Sequence, residues 1–229
     1  RRTHSTVLPG VTSRRRAKRE LKDRKLSTWV TRAASYPISI DVEAVTEMAS
    51  RPETKRRARQ IREELGNPET VYLGVDRLDY TKGIRHRLKA YGELLNDGDI
   101  TVETSAMIQV ASPSRERVES YIQLREQIEG TVGRLNGQFD TMAHTAIRYL
   151  HHSYPFPEMV ALYLASDVMV VSSLRDGMNL VAKEYAVAHT DNRGALVLSE
   201  FTGAAEQLPS AITINPHDID GFKDAPVSY

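Results

Sequence analysis

Short apolar runs alternate along this chain with segments whose apolar positions recur every three or four residues. Val71–Val75, Val168–Ser172 and Ala195–Leu198 are the clearest of the runs, and Ala106–Ala111, Ala146–His151 and Ile212–Ile214 extend the series. A run without polar alternation predicts a strand covered on both faces, as in a parallel sheet. The intervening segments predict helices at Val42–Ser50, Glu53–Leu65, Gly83–Leu95, Ser114–Arg134, Pro157–Ala165, Leu180–His189 and Ala204–Gln207. In Glu53–Leu65, for example, Ala58, Ile61 and Leu65 share one face, and Gly66-Asn67-Pro68 stops the pattern. Pro37–Ile40 reads as a further, leading strand. Strand and helix in alternation predict an α/β fold, a Rossmann-like parallel sheet with helices on both faces. Residues 35–229 read as one such domain, and 1–34 as a basic, poorly ordered tail.

Two strand-to-helix junctions carry the chemistry. Asp167–Ser173 reads as a buried strand of a parallel sheet, and it leads through Arg175-Asp176-Gly177-Met178-Asn179 into the helix from Leu180. The first N–H groups of a helix lack intrahelical partners and sit at the positive end of its dipole, so this junction suits an anion. Asp176 and Glu184 bracket it with carboxylates, which only accept hydrogen bonds and so suit hydroxyl groups. A diphosphate flanked by sugars matches both features, which points to a nucleotide-sugar site. At the other junction, Val71–Asp76 is followed by Arg77 and Lys82. In open α/β sheets ligands bind beyond the carboxyl ends of the strands, where these cations would neutralise a departing diphosphate without a metal.

Each residue also has a plainer reading. Asp176 could cap the helix that follows, Glu184 could be a solvated helix carboxylate, and Arg77 and Lys82 could be ordinary surface charges. Asp76 and Asp79 flank Arg77-Leu78, but neighbouring cations argue against a metal between them. His151 and His152 are adjacent on a strand and so point to opposite sides, near a Ser153–Phe156 loop that could border a nucleobase. His217 reads as a loop histidine.

These junctions resemble those of a known family. Gly74-Val75-Asp76-Arg77-Leu78-Asp79-Tyr80-Thr81-Lys82-Gly83-Ile84 and Leu174–Tyr185 are similar to signatures of the trehalose-6-phosphate synthases. So are Ala111–Val118, Ala195–Ala205 and Asn215-Pro216-His217-Asp218, all in the family's order between Tyr36 and Lys223. The wording is closest to the bacterial, actinobacterial-like members. The resemblance implies the C-terminal, donor-binding half of a GT-B retaining glycosyltransferase. It implies UDP-glucose as donor, glucose 6-phosphate as acceptor and no cofactor or metal. Arg77 and Lys82 would hold the diphosphate and stabilise the leaving group, as the catalytic cations. Asp176 would hold the glucose hydroxyls beside the backbone N–H groups of Gly177, Met178 and Asn179. The N–H groups of Leu180 and Val181 would meet the phosphates, Glu184 the ribose, and Arg115 the acceptor phosphate. The family's N-terminal acceptor domain has no counterpart in these residues, so a donor-binding fragment without activity of its own is one expectation. A related synthase with another phosphorylated acceptor, such as glycerol 3-phosphate, is another. A homo-oligomer is possible for the full-length family.

Composition fits this picture. The 229 residues suffice for one sizeable domain, and 40% hydrophobic content is ordinary for a globular chain. A net charge of +1 predicts no general attraction to nucleic acid or to a membrane. The absence of cysteine removes disulfides, thiolate ligands and thiol nucleophiles, and is compatible with the cytoplasm. Arg1–Lys25 is strongly basic without an apolar stripe; it reads as a solvated tail, with a phosphate-binding arm as the functional alternative.

Overall fold

Every apolar run from Val71 onward becomes a strand, and the runs inside the sheet find apolar neighbours on both faces. The computed structural model describes residues 34, 36, 38–191 and 193–227. Among them, helices α1 (Val42–Ser50) and α2 (Pro52–Glu64) precede β1 (Thr70–Arg77), α3 (Ile84–Asp97), β2 (Ser105–Ser112) and α4 (Glu119–Phe139). Then follow β3 (Ile147–Leu150), α5 (Phe156–Ala165), β4 (Val168–Val171), α6 (Leu180–Ala188), β5 (Ala195–Ser199), β6 (Ile212–Ile214) and α7 (Ile219–Val227). The strands form one sheet in the order β3-β2-β1-β4-β5-β6, every pair parallel. All of these elements lie in one compact unit, Ser39–Tyr229.

Alternate residues of the inner strands serve two separate cores. Tyr72, Met107, Val168 and Val170 pack with Leu88, Tyr91, Ile128, Leu135 and Phe222 of α3, α4 and α7. Val71, Leu73, Ile108, Val110, Met169 and Val171 pack with Val45, Ile61, Val160 and Tyr185 of α1, α2, α5 and α6. With a helical layer on each face, the period-two alternation of a half-exposed strand vanishes from the sequence. The helix starts are equally local in origin. Asp41 caps α1 by accepting from the Ala44 N–H at 3.0 Å, and Pro52 opens α2 where a missing N–H costs nothing. Gly66 and Asn67, both at positive φ, close α2.

Four expectations are corrected. Residues 38–40 are not a strand, because β3 and β6 end the sheet and no strand pairs with them; Pro37 lies outside the described residues, as does most of the basic tail. The helix expected from Ser114 starts at Glu119 and runs on to Phe139. Ala204–Gln207 contracts to a single 3-10 turn, Gly203–Glu206. Helix α7 was not expected, since Gly221 and Pro226 within it mask the spacing of Ile219, Phe222 and Ala225. No helix among the described residues is long and apolar enough to cross a membrane.

Candidate functional site at the strand-order switch

From β1 the chain builds outward in both directions, to β2 on one side and to β4 on the other. The helices after β1 and β4 therefore leave toward opposite faces, and a crevice opens between their loops at the carboxyl edge.

The loop after β1 is shaped by Asp79. It caps the 3-10 turn Tyr80–Lys82, accepting from the Thr81 N–H at 2.9 Å and the Thr81 hydroxyl at 2.7 Å. Burial opposes the Asp79 charge, but these bonds, a third from Tyr121 and the charge of Arg77 together hold its pKa below the ordinary carboxylate value. Gly83 then turns the chain into α3 with φ 65°. A Cβ at this position would collide with the Ser172 carbonyl at the end of β4. The contact is reinforced by Ser172 Oγ, which donates to the Gly83 carbonyl at 3.1 Å, and by the Leu174 N–H, which donates to the Thr81 carbonyl at 2.7 Å. The two loops are thus joined through their backbones.

Their side chains meet as well. Lys82 Nζ lies 2.6 Å from Asp176 Oδ2, each side chain only 15% exposed. Ser173 Oγ and Asn179 Nδ2 also donate to Oδ2, at 3.4 and 3.2 Å, and the Met178 N–H reaches Oδ1 at 3.5 Å. Asp176 does not cap α6. Asn179 does so, accepting from the Ala182 N–H at 2.9 Å, and it holds φ 73° to reach it. The N–H groups of Leu180 and Val181 precede the first intrahelical bonds and face the loop. A strained non-glycine residue at a helix start is the kind of cost found where geometry serves a ligand.

A third loop props this one from behind. After β5, the Phe201 carbonyl accepts from the Asp176 N–H at 3.0 Å, and the Gly203 and Ala204 N–H groups donate to the Asp176 and Met178 carbonyls at 3.1 and 2.8 Å. Gly203 has no room for a Cβ against the Gly177 carbonyl. The Ala195–Ala205 motif therefore acts as a support for Asp176–Met178.

Of the remaining residues singled out in the sequence, Arg77 is exposed at the last position of β1, and its charge reaches Asp79. Glu184 lies farther along α6, half-buried, and accepts from the Tyr163 hydroxyl at 2.8 Å. Arg115 lies outside the helix, which starts only at Glu119. It sits in the loop after β2 with φ 49°. Its Nη1 donates to Tyr121 Oη at 3.1 Å and its guanidinium lies 5.5 Å from that ring's centre. Tyr121 in turn donates to Asp79 Oδ2 at 3.0 Å, which links Arg115 to the loop that carries Lys82. Tyr121, Tyr163 and Ser173 carry this site unannounced by any sequence pattern; only folding shows what they touch.

Asp76 and Asp79 each hold protein partners. Asp76 is paired at 2.8 Å with the fully buried Arg87, which also bonds Gln109 Oε1 at 2.8 Å. Among the described residues no group of three potential ligands is close enough to hold a metal ion. His151 and His152 lie just past β3: His151 Nδ1 is 2.9 Å from the Ala111 carbonyl, and His152 rests 4.3 Å from the Tyr154 ring. His217 is a loop residue whose ring meets His86 and Phe201.

The chain matches a known family in sequence and in fold. The model of glycosyltransferase family 20 matches residues 4–227, and the chain belongs to that family. The match takes in nearly all of the basic stretch that the motifs alone leave outside it. A curated trehalose-6-phosphate synthase from Mycobacterium avium is 54% identical over 200 residues, which are 87% of this chain and 41% of that one. A solved alpha,alpha-trehalose-phosphate synthase (UDP-forming) from Burkholderia xenovorans, in complex with glucose-6-phosphate, superposes with a TM-score of 0.80 at 39% identity. It is covered over 43% of its length by 84% of this chain. A structure from E. coli bound with UDP-2-fluoro glucose gives 0.77 at 38% identity, over 83% of this chain and 42% of that one. The chain thus spans about two fifths of the relatives it matches.

Proposed function

We propose that this member of glycosyltransferase family 20 provides the nucleotide-sugar half of a retaining glucosyltransferase, which moves glucose from UDP-glucose to glucose 6-phosphate and yields trehalose 6-phosphate and UDP. The observation that carries the reading is the meeting of Lys82 and Asp176 at 2.6 Å across the strand-order switch. A cation for phosphate and a carboxylate for hydroxyls, held in contact, mark the point where a glycosyl phosphate would lie. The relatives solved with glucose-6-phosphate and with UDP-2-fluoro glucose support the same pair of substrates.

In this reaction the bond from the anomeric carbon to the diphosphate oxygen breaks. A new bond forms from that carbon to the anomeric oxygen of the acceptor, on the same face. The acceptor proton passes to the departing diphosphate. No carboxylate nucleophile is used, and Asp176 serves instead to grip sugar hydroxyls. Arg77 and Lys82 neutralise charge that grows on the leaving group, and the Leu180 and Val181 N–H groups at the start of α6 add to it. Arg115 takes the acceptor phosphate through its planar fork. The cations fill the role of a divalent ion because Asp76, Asp79 and Asp176 each already hold a protein partner.

Calorimetric titration of the chain with UDP and UDP-glucose, followed by an assay of transfer to glucose 6-phosphate, tests the proposal. Binding of both nucleotides is expected. Binding without transfer would restrict the chain to a nucleotide-sugar-binding role, and absence of binding would overturn the reading.

A further inference from the structure

Glu184 stands apart from the Lys82–Asp176 cluster, and what aims it is a residue of another helix. Tyr163, on α5, is 1% exposed, and its hydroxyl donates to Glu184 Oε2 at 2.8 Å. The ring is fixed on its other sides. It meets Tyr185 edge-on at 6.3 Å and 88°, and Tyr185 is itself tethered through its hydroxyl to the Asp167 carbonyl at 3.0 Å. The backbone carbonyl of Tyr163 accepts from Ser166 Oγ at 2.9 Å, and His189 Nε2 lies 2.9 Å from the same oxygen.

A buried phenol keeps its proton. Burial raises its pKa well above the ordinary tyrosine value, and the charge of Glu184 raises it further. Tyr163 is therefore a fixed donor, and a bond from a buried hydroxyl to a carboxylate is of the strong, charge-assisted kind. A glutamate on a helix surface otherwise samples several rotamers, whose loss opposes binding. The bond selects one rotamer in advance. It occupies one lone pair of Oε2 and leaves Oε1 without a protein donor among the described residues.

We propose that Tyr163 is a positioning residue for Glu184, and that this pair makes the nucleotide pocket discriminate a ribose from a 2′-deoxyribose. The inference rests on the nucleotide-sugar reading above. A site built to accept hydrogen bonds from a hydroxyl rejects an analogue that lacks it, provided that the acceptor is held in place.

The test uses the chain itself, titrated with UDP and with 2′-deoxy-UDP, alongside thermal unfolding of each variant. Wild type is expected to prefer UDP by roughly tenfold, the scale of one well-placed hydrogen bond to a charged group. Glu184→Ala should erase the preference. Tyr163→Phe should unfold cooperatively, bind 2′-deoxy-UDP as wild type does, and lose most of the preference, a roughly fivefold drop in UDP affinity. A merely structural tyrosine would lower both affinities together and leave their ratio intact. If Tyr163→Phe does not fold, Glu184→Asp supplies the same comparison, since it keeps the charge but draws the carboxylate out of reach of the buried hydroxyl. A ratio within twofold of wild type in Tyr163→Phe, or in Glu184→Asp where that stands in, overturns the proposal while Glu184→Ala still upholds the nucleotide site. Equal binding of the two nucleotides by wild type would instead remove the ribose role of Glu184, and the proposal with it.

Discussion

The loop after β1 and the loop after β2 leave the same edge of the sheet side by side, yet they are built differently. The first is joined to the loop after β4 by two backbone-anchored hydrogen bonds, a glycine packed on a carbonyl and the Lys82–Asp176 pair. The second presents Arg115 on an exposed turn tied to the rest by side chains, Arg115 to Tyr121 at 3.1 Å and Glu116 to His151 at 3.7 Å. Backbone contacts fix a site before any ligand arrives, whereas side-chain tethers steer a residue and leave it room to move. The crevice between the loops after β1 and β4 is therefore fixed by the fold itself, whereas the Arg115 loop is steered by its side chains.

Lys82→Ala cuts deepest into the preformed side. It removes the cation proposed to hold the phosphates and leaves Asp176 without its closest partner, so UDP affinity should fall by roughly a hundredfold in a titration. Arg77→Ala should cost at least tenfold in the same measurement, because a charge-assisted bond is lost without disturbing the fold. Gly83→Ala strikes the backbone junction. With a positive φ and a carbonyl in the way, it should lower stability by about 1–3 kcal/mol in denaturant unfolding and weaken UDP binding. On the tethered side, Tyr121→Phe should leave UDP affinity within about twofold, since Asp79 keeps both bonds from Thr81, and should speed amide exchange around Arg115. The smallest effect is one of pH. Asp79 has a depressed folded-state pKa, so its contribution to stability is present above the unfolded carboxylate value near 4 and is lost as pH falls through the folded one. Thermal unfolding followed from pH 7 to pH 3 should show this loss in wild type and a shallower decline in Asp79→Asn.

Much of this was legible from local pattern. Val71–Val75 and Val168–Ser172 read as strands because two-sided burial leaves no polar alternation, and the junctions after them carry the charged residues expected of ligand-binding loops. The pattern puts Arg115 on a helix because Ser114–Arg134 reads as helix, and nothing local marks the turn that delays its start to Glu119. Helix α7 escapes the pattern for the opposite reason, its glycine and proline outweighing a burial pattern that only packing against α3 and β6 makes good. Pairings such as Lys82 with Asp176 and Tyr163 with Glu184 span long stretches of chain. They depend on strand order, which composition and periodicity do not encode.

The collision that forbids a side chain at position 83 involves a main-chain oxygen, and every amino acid carries one. No replacement at position 172 could therefore make space for a larger neighbour, as a smaller partner does in an apolar core. Evolution has no compensating partner to draw on here. A descendant that lost this glycine would have to slide the strand or widen the crossover, and either change would part the lysine from the aspartate.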